Sequence, residues 1–253
     1  MAPKSSSAIF WTSEPCRGAV TGADAAYFVY PIRPGPINAT AYFAQAAKEA
    51  GLISIVNMSQ ISAREDSKSH AARDHWIAEW VFDWSGVRTT HIRPTFFAQW
   101  LAYPQNRKHI LERGVISQPL GNGCHAPIAA EDQARFVAAV LADPAPHKGK
   151  VYRLFGPVEM DQADIAEAVG QVIGRPVGYE PISIEAYRHR LEISGAMSPF
   201  LIQHLCAVAQ DYQDGIFAGT DDIIGRVTGQ PPMTVQEFVA AHIDLFQPAS
   251  TGR

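Results

Sequence analysis

Polar and aromatic residues follow three apolar segments that have the composition of buried strands. The segments are residues 25–30, 53–58 and 89–92, and the first two are almost continuously apolar, as expected of strands covered on both faces. Open α/β sheets bind ligands just beyond the carboxyl ends of their parallel strands. We therefore expect one crevice, lined by the residues that end or follow these segments: Tyr30, Pro31, Ser59, Gln60, Pro94, Thr95 and Phe96.

Ser59 and His75 are the two side chains predicted to do proton chemistry there. A histidine with an ordinary pKa of about 6.5 can give or take a proton near neutral pH, and a serine hydroxyl can hydrogen-bond a reacting group. The alternatives are a hydroxyl that caps a turn and a histidine on a helix surface. Glu79 lies four residues after His75, but two ligands without a third usually form a surface ion pair, so no metal site is predicted.

Aromatic residues after the third segment are candidates for binding a substrate. Phe96, Phe97, Trp100 and Tyr103 have helical spacing and either belong to the core or line a pocket. His125 lies beside Gly123 in a glycine-rich loop and is a further candidate. We assign Phe97, Trp100 and His125 to the substrate.

The composition excludes several other classes of function. The net charge is −4 and no basic cluster occurs, which argues against a nucleic-acid partner. No apolar run is long enough to span a membrane, and residues 1–7 are polar with no signal-peptide core behind them, so a cytoplasmic location is expected. Three widely separated cysteines predict neither a disulfide framework nor a zinc site. Four aspartates without calcium-loop spacing are predicted to be solvated caps: Asp211, Asp214, Asp221 and Asp222.

The elements that must position these residues alternate between strands and helices. Helices are predicted over residues 37–51, 66–86 and 131–142, and the second of them has Ile77, Val81 and Trp84 on its apolar side. A strand over 150–155 and a helix capped by Asp161 follow. Beyond these lie a strand over 177–181 and helices over 183–194, 199–213 and 234–246. The pattern predicts an α/β domain with a parallel sheet at residues 1–156 and a smaller, mostly helical lobe at 157–253.

Three sequence stretches carry a resemblance to a known family. They are ADAAYFVYP at 23–31, GVRTTHIRPTFF at 86–97 and PIAAEDQAR at 127–135. In this order they resemble the NmrA-like branch of the short-chain dehydrogenase/reductase superfamily. The resemblance implies a Rossmann-like fold, NADP or NAD as cofactor, and an oxidoreductase acting on a small organic substrate. It places the second stretch beside the nicotinamide.

The sequence departs from this family at two places. No G-x-x-G-x-x-G turn occurs, so binding of the dinucleotide phosphates is in doubt, and residues 9–11 already resemble the family's third strand. We therefore expect an N-terminally truncated Rossmann fold with an open sheet edge, which a second copy of the chain covers, residues 1–11 cover, or nothing covers. The family's catalytic Tyr and Lys positions fall near Ala71 and His75.

Three functions stay open at this stage. The first is an NAD(P)-binding oxidoreductase, which the resemblance favours. The second is a non-catalytic regulator that senses the nucleotide, which the missing Tyr/Lys pair suggests. The third is a cofactor-independent binder or lyase of small apolar molecules, which the missing phosphate turn suggests.

Overall fold

The computed structural model describes residues 13–247, which form strands and helices in alternation. The strands are β1 (Ala25–Phe28), β2 (Ser54–Met58), β3 (Thr89–Pro94), β4 (Val115–Gln118), β5 (Val151–Leu154) and β6 (Gly178–Pro181). The helices are α1 (Ser13–Val20), α2 (Pro36–Ala50), α3 (His70–Ser85), α4 (Pro104–Arg113), α5 (Ala130–Ala142), α6 (Gln162–Ile173), α7 (Ile184–Ser194), α8 (Pro199–Gln213), α9 (Ile223–Thr228) and α10 (Val235–Ala241). The chain divides into two compact units, Met1–Arg93 with Val137–Tyr152 (unit 1) and Pro94–Phe136 with Arg153–Arg253 (unit 2).

A parallel sheet of order β1-β2-β3-β5 confirms the predicted α/β architecture. β1 pairs in parallel with β2, with Phe28 opposite Asn57, and β2 pairs in parallel with β3, with Met58 opposite Ile92. Parallel neighbours need a crossover, and α2 and α3 supply the first two. Because the strands run in one direction, the residues after β1, β2 and β3 follow the same edge of the sheet.

Three helices of unit 1 pack together over an aromatic core. The rings of Phe28, Phe43 and Phe82 lie in mutual contact, with centroids 4.9 to 6.4 Å apart, and join β1 to α2 and α3. α2 ends at Gly51, whose φ of 72° is the left-handed conformation that suits a helix C-cap. Small residues such as Ala44 and Ala47 on α2 are buried in the same core, which lets neighbouring helices approach closely.

Unit 2 has a second, two-stranded parallel sheet of β4 and β6 and a separate core. Val115 lies opposite Gly178, and α4 and α6 pack against these strands. Buried residues of this core include Leu101, Ile110, Ile165 and Phe238. A capping box at the start of α6, formed by Asp161 and Asp164, confirms the predicted helix start.

The buried face of α3 differs from the predicted one. Trp84, which was expected on the apolar side with Ile77 and Val81, is 73% exposed. The helix instead buries Ala71, Ala72, His75, Ala78, Glu79 and Phe82. Small residues share the buried side with the large Phe82, whereas Trp80 and Trp84 are exposed, so neither size nor hydrophobicity alone sets this face.

Residues 96–118 contain structure that periodicity did not predict. The predicted helical spacing of Phe96 to Tyr103 is wrong at its start, because Phe97 is extended and only Ala98–Ala102 form a short 3-10 helix. α4 begins at Pro104, and β4 follows it. Both were missed because α4 has one buried residue, Ile110, and β4 has only four residues.

One smaller expectation also changed. Asp211 is buried at 2% exposure and is not a solvated cap, while Asp214 and Asp222 do flank helix ends. The segment 9–11 lies outside the described residues. Over residues 13–247, no helix combines the length and apolar character that a membrane crossing requires.

Candidate functional site

Three buried polar atoms without hydrogen-bond partners follow β2 in unit 1. Ser59 comes directly after the strand, and its backbone N–H donates to the carbonyl of Ile92 on β3 at 2.8 Å. Its Oγ, Nε2 of Gln60 and Oγ of Ser62 are buried and have no partner among the described residues. Unpaired buried polar atoms are costly, so such a group at a sheet edge indicates a place where a bound molecule completes the hydrogen bonds. Ser62 was missed by sequence reasoning, although its polarity beside Ser59 was a visible signal.

Tyr30 and Pro31 follow β1, as predicted. The Tyr30 ring is buried in the unit 1 core, and its hydroxyl donates to the carbonyl of Pro34 at 3.0 Å. The guanidinium of Arg33 lies 5.3 Å from the ring centroid, a cation–π distance. Tyr30 therefore stabilises the loop after β1, and Pro31 is exposed on that loop.

His75 and Glu79 are both buried on α3, which corrects the expected surface ion pair. His75 is 6% exposed and Glu79 is 5% exposed. The Glu79 carboxylate pairs with Arg93 on β3, where Nε donates to Oε1 at 2.8 Å and the second nitrogen bonds the other oxygen. This bidentate pair ties the helix that carries His75 to the sheet. The arginine was missed because the two charges are 14 residues apart.

A second buried polar chain crosses unit 1 and was not predicted. The side-chain amide of Asn57 donates to Nδ1 of His91 at 3.0 Å, and Nε2–H of His91 donates to Asp83 at 3.1 Å. The amide donor assigns the ring proton to Nε2. These bonds connect β2, β3 and α3, so we assign His91 to the framework that positions α3.

The residues after β3 belong to unit 2 and are held by backbone hydrogen bonds. The N–H of Thr95 donates to Leu154 at 3.0 Å, and the carbonyl of Phe96 accepts from Ile128 at 3.2 Å. Oγ1 of Thr95 is buried and has no hydrogen-bond partner among the described residues, like the three polar atoms that follow β2. Phe97 forms a bridge with Ile128, and Trp100 packs on the unit 2 core.

His125 lies inside an aromatic cluster of unit 2. Its ring contacts Phe96 and Tyr212, and Phe96 stacks on Phe217 with centroids 4.7 Å apart. Nδ1 of His125 accepts from the Tyr212 hydroxyl at 2.7 Å, and that hydroxyl accepts from Gln162 at 2.8 Å. Burial lowers the pKa of His125 to about 3, so the ring is neutral at ordinary pH. His125 is fully buried, and a direct substrate contact by it stays a prediction.

Within residues 13–247 no three His, Cys, Asp or Glu side chains are grouped as metal ligands.

The chain is similar to one protein family and to several reductases. A sequence profile of the NmrA-like family matches residues 12–238. The NAD(P)H azoreductase of Xenophilus azovorans is 32% identical over 234 residues, which cover 90% of this chain and 78% of that protein. Two solved structures share the fold. An NADPH-dependent quinone oxidoreductase of Escherichia coli, complexed with NADPH, has a TM-score of 0.80 at 23% identity and covers 93% of this chain and 82% of its own. A triphenylmethane reductase of Citrobacter sp., complexed with NADP(H), has a TM-score of 0.79 at 20% identity. The match covers 92% of this chain and 81% of the reductase.

Proposed function

Because this chain belongs to the NmrA-like family, we propose that it is an NAD(P)-dependent oxidoreductase that reduces a small organic acceptor. The observation that carries the proposal is the set of unpartnered buried polar atoms after β2 in unit 1, at Ser59, Gln60 and Ser62. The similarity to a protein named NAD(P)H azoreductase supports the same reaction class. No described residue cluster favours the regulator or the cofactor-independent binder.

The unpartnered atoms fit the nicotinamide half of the cofactor. A carboxamide and ribose hydroxyls offer both donors and acceptors, and Ser59, Gln60 and Ser62 offer the complementary groups. When bound, NADPH or NADH supplies a hydride. The chain has no G-x-x-G-x-x-G turn, so the proposal assigns no residue to the pyrophosphate. We include Tyr30, Pro31, Pro94, Thr95 and Phe96 as cofactor contacts, as the resemblance implies, with Phe96 contributing its backbone.

Ser59 and His75 are the proposed catalytic residues. The Ser59 hydroxyl can donate a hydrogen bond to an oxygen or nitrogen that gains negative charge, and His75 can deliver the proton. Ala71 stands where the resemblance places the family's tyrosine, so a tyrosine is not available for this step. Phe97 and Trp100 are proposed to contact the acceptor with apolar surface.

A homodimer belongs to the same proposal. β1 is the first strand in the order of its sheet over the described residues and offers its outer edge for pairing. A second copy of the chain would cover that edge. Light scattering after size exclusion tests this, and a monomeric mass at micromolar concentration would contradict it. A cytoplasmic location and a domain boundary after residue 156 stay predictions.

Calorimetric titration with NADPH and NADH tests the cofactor assignment. We expect a dissociation constant of about 1 μM for one of them, equivalent to about −8 kcal/mol. Ser59→Ala should weaken binding about five-fold, because a hydrogen bond contributes about 1 kcal/mol. Nucleotide-dependent reduction of quinones and azo dyes then tests the reaction.

Ser54→Ala is the matched control. Ser54 is a buried serine at the opposite, amino end of β2, so its loss changes the same strand without touching the carboxyl edge. Equal weakening by both substitutions would contradict the role of Ser59. A parent chain that binds neither nucleotide would overturn the proposed function.

A further inference from the structure

Tyr212 lies at the centre of a closed cluster in unit 2 in which one member reaches the surface. His125, Gln162 and Tyr212 have no exposed surface, and Phe217 has 4%. Phe96 is the partly exposed member. A molecule that touches this cluster from outside therefore meets mainly Phe96, and His125, Gln162 and Tyr212 act on that molecule through their neighbours.

Phe96 is fixed at both its backbone and its ring. Its carbonyl accepts from Ile128, and the preceding N–H, of Thr95, donates to Leu154. Its ring is nearly parallel to that of Phe217, with an angle of 19°, and its centroid lies 5.7 Å from that of Tyr212. A ring held in this way can offer a flat surface without losing rotational freedom on binding.

Tyr212 is itself held by a polar frame. Its hydroxyl accepts from Gln162 and donates to Nδ1 of His125. The backbone of His125 exchanges two hydrogen bonds with Met160, at 3.0 and 2.9 Å, so this acceptor cannot move away. At Gly123 a Cβ would lie 2.4 Å from the Tyr212 carbonyl oxygen, which shows how closely the loop before His125 approaches α8.

We propose that Tyr212 is a positioning residue that fixes the Phe96 ring as a rigid wall for a planar aromatic electron acceptor. The inference rests on the proposed function, since it requires an acceptor site next to the residues after β3. Polar partners on both sides of one phenol restrict its ring more than apolar packing alone does. Removal of the hydroxyl therefore loosens the wall without removing it.

The substitution Tyr212→Phe tests the proposal, with Tyr179→Phe as the matched control. Tyr179 is a partly buried tyrosine of unit 2, and its hydroxyl donates to the carbonyl of Gln118. For Tyr212→Phe we expect KM for a naphthoquinone to rise about five-fold, the effect of one hydrogen bond, while kcat and the Kd for NADPH stay within two-fold. Tyr179→Phe should leave all three values unchanged.

A second readout needs no turnover. In protein labelled with 4-fluorophenylalanine, the ¹⁹F resonance of Phe96 is identified by its loss in Phe96→Leu. We expect it to shift in Tyr212→Phe and to stay in place in Tyr179→Phe. If Tyr212→Phe is active and its KM for the quinone is unchanged, the Phe96 ring is not a wall of the acceptor site, whether or not its resonance shifts. If the Phe96 resonance does not shift in Tyr212→Phe, Tyr212 does not position that ring. A parent chain that binds no nucleotide and reduces no quinone overturns the proposed function, and the inference with it.

Discussion

At the scale of single residues, Gly156 has the tightest backbone environment among the described glycines. A Cβ at this position would lie 1.8 Å from the carbonyl oxygen of Pro127, and the N–H of Gly156 donates to Ala126 at 2.9 Å. We expect Gly156→Ala to lower the free energy of unfolding by about 3 kcal/mol, because backbone must move to admit the methyl group. Urea denaturation measures this loss.

Gly178→Ala is the control for that substitution. Gly178 lies in β6, and an added Cβ there would meet nothing within 4 Å. We expect a gain of about 0.5 kcal/mol, because alanine reduces the freedom of the unfolded chain. Equal losses at the two glycines would show that the Pro127 contact does not decide the outcome.

For single residues, the sequence predicted the place of a candidate in a strand, helix or loop better than it predicted the residues that contact it. It selected Ser59 because this residue follows a strand, it selected His75 because the family resemblance aligns it near a catalytic position, and it predicted a loop site for His125. It could not predict that His125 binds Tyr212, because 87 residues separate them and neither residue type requires the other. The Glu79 pair with Arg93 was hidden for the same reason.

At the scale of elements, α6 depends on the cap at its first turn. One oxygen of Asp161 accepts from the N–H groups of Ala163 and Asp164, both at 2.8 Å. We expect Asp161→Ala to cost about 1 kcal/mol of unfolding free energy, since two helix N–H groups lose their acceptor. Asp161→Asn keeps an acceptor and should retain most of the stability.

Glu167→Ala provides the comparison on the same helix. Glu167 is exposed and accepts one long hydrogen bond from Gln171 at 3.3 Å, so we expect a change within about 0.5 kcal/mol. An Asn variant as unstable as the Ala variant would contradict the capping explanation. Thermal unfolding followed by circular dichroism distinguishes these outcomes.

Elements with strong local signals were predicted closely, and weak ones were missed. The helix predicted over 199–213 has the bounds of α8, Pro199–Gln213, because Ser198 caps it and Pro199 occupies its first turn. α4 escaped prediction because only Ile110 is buried on it. On α3 the periodic pattern marked the wrong face, since packing against neighbours selected other residues there.

At the scale of the whole molecule, two buried histidines of unit 2 should make stability depend on pH. Burial lowers the pKa of His125 to about 3 and that of His204 to about 4. Below a pH of about 6.5 the unfolded chain binds protons that the folded chain does not, so stability falls as pH falls. At pH 5 each histidine should cost about 2 kcal/mol, from about 1.4 kcal/mol per pH unit.

Urea denaturation at pH 7, 6 and 5 measures this dependence. His125→Gln and His204→Gln should each remove about half of the decrease in unfolding free energy between pH 7 and pH 5. His189 is exposed, so His189→Gln serves as the control for replacing a histidine. Stability that is equal at pH 7 and pH 5 would contradict the prediction. If one of the two variants does not fold, the pH dependence of the other variant is enough to test the prediction.

The parallel sheet could be predicted as a whole, but the division into two units could not. Periodicity reports on neighbours along the chain, whereas residues 137–152 join residues 1–93 through contacts between distant segments. The alternation of strands and helices predicted the sheet and the helical end of the chain, and the boundary predicted after residue 156 stays a prediction.

The three tryptophans of α3 give the protein an optical reporter of its own. Trp76, Trp80 and Trp84 stand in one row with ring centroids 6.2 Å apart, and they are three of the five tryptophans in the chain. Most of the intrinsic fluorescence therefore originates on the helix that carries His75. Reduced nicotinamide absorbs in the range where tryptophan emits, so occupancy next to this helix can be followed as loss of emission, in unlabelled protein.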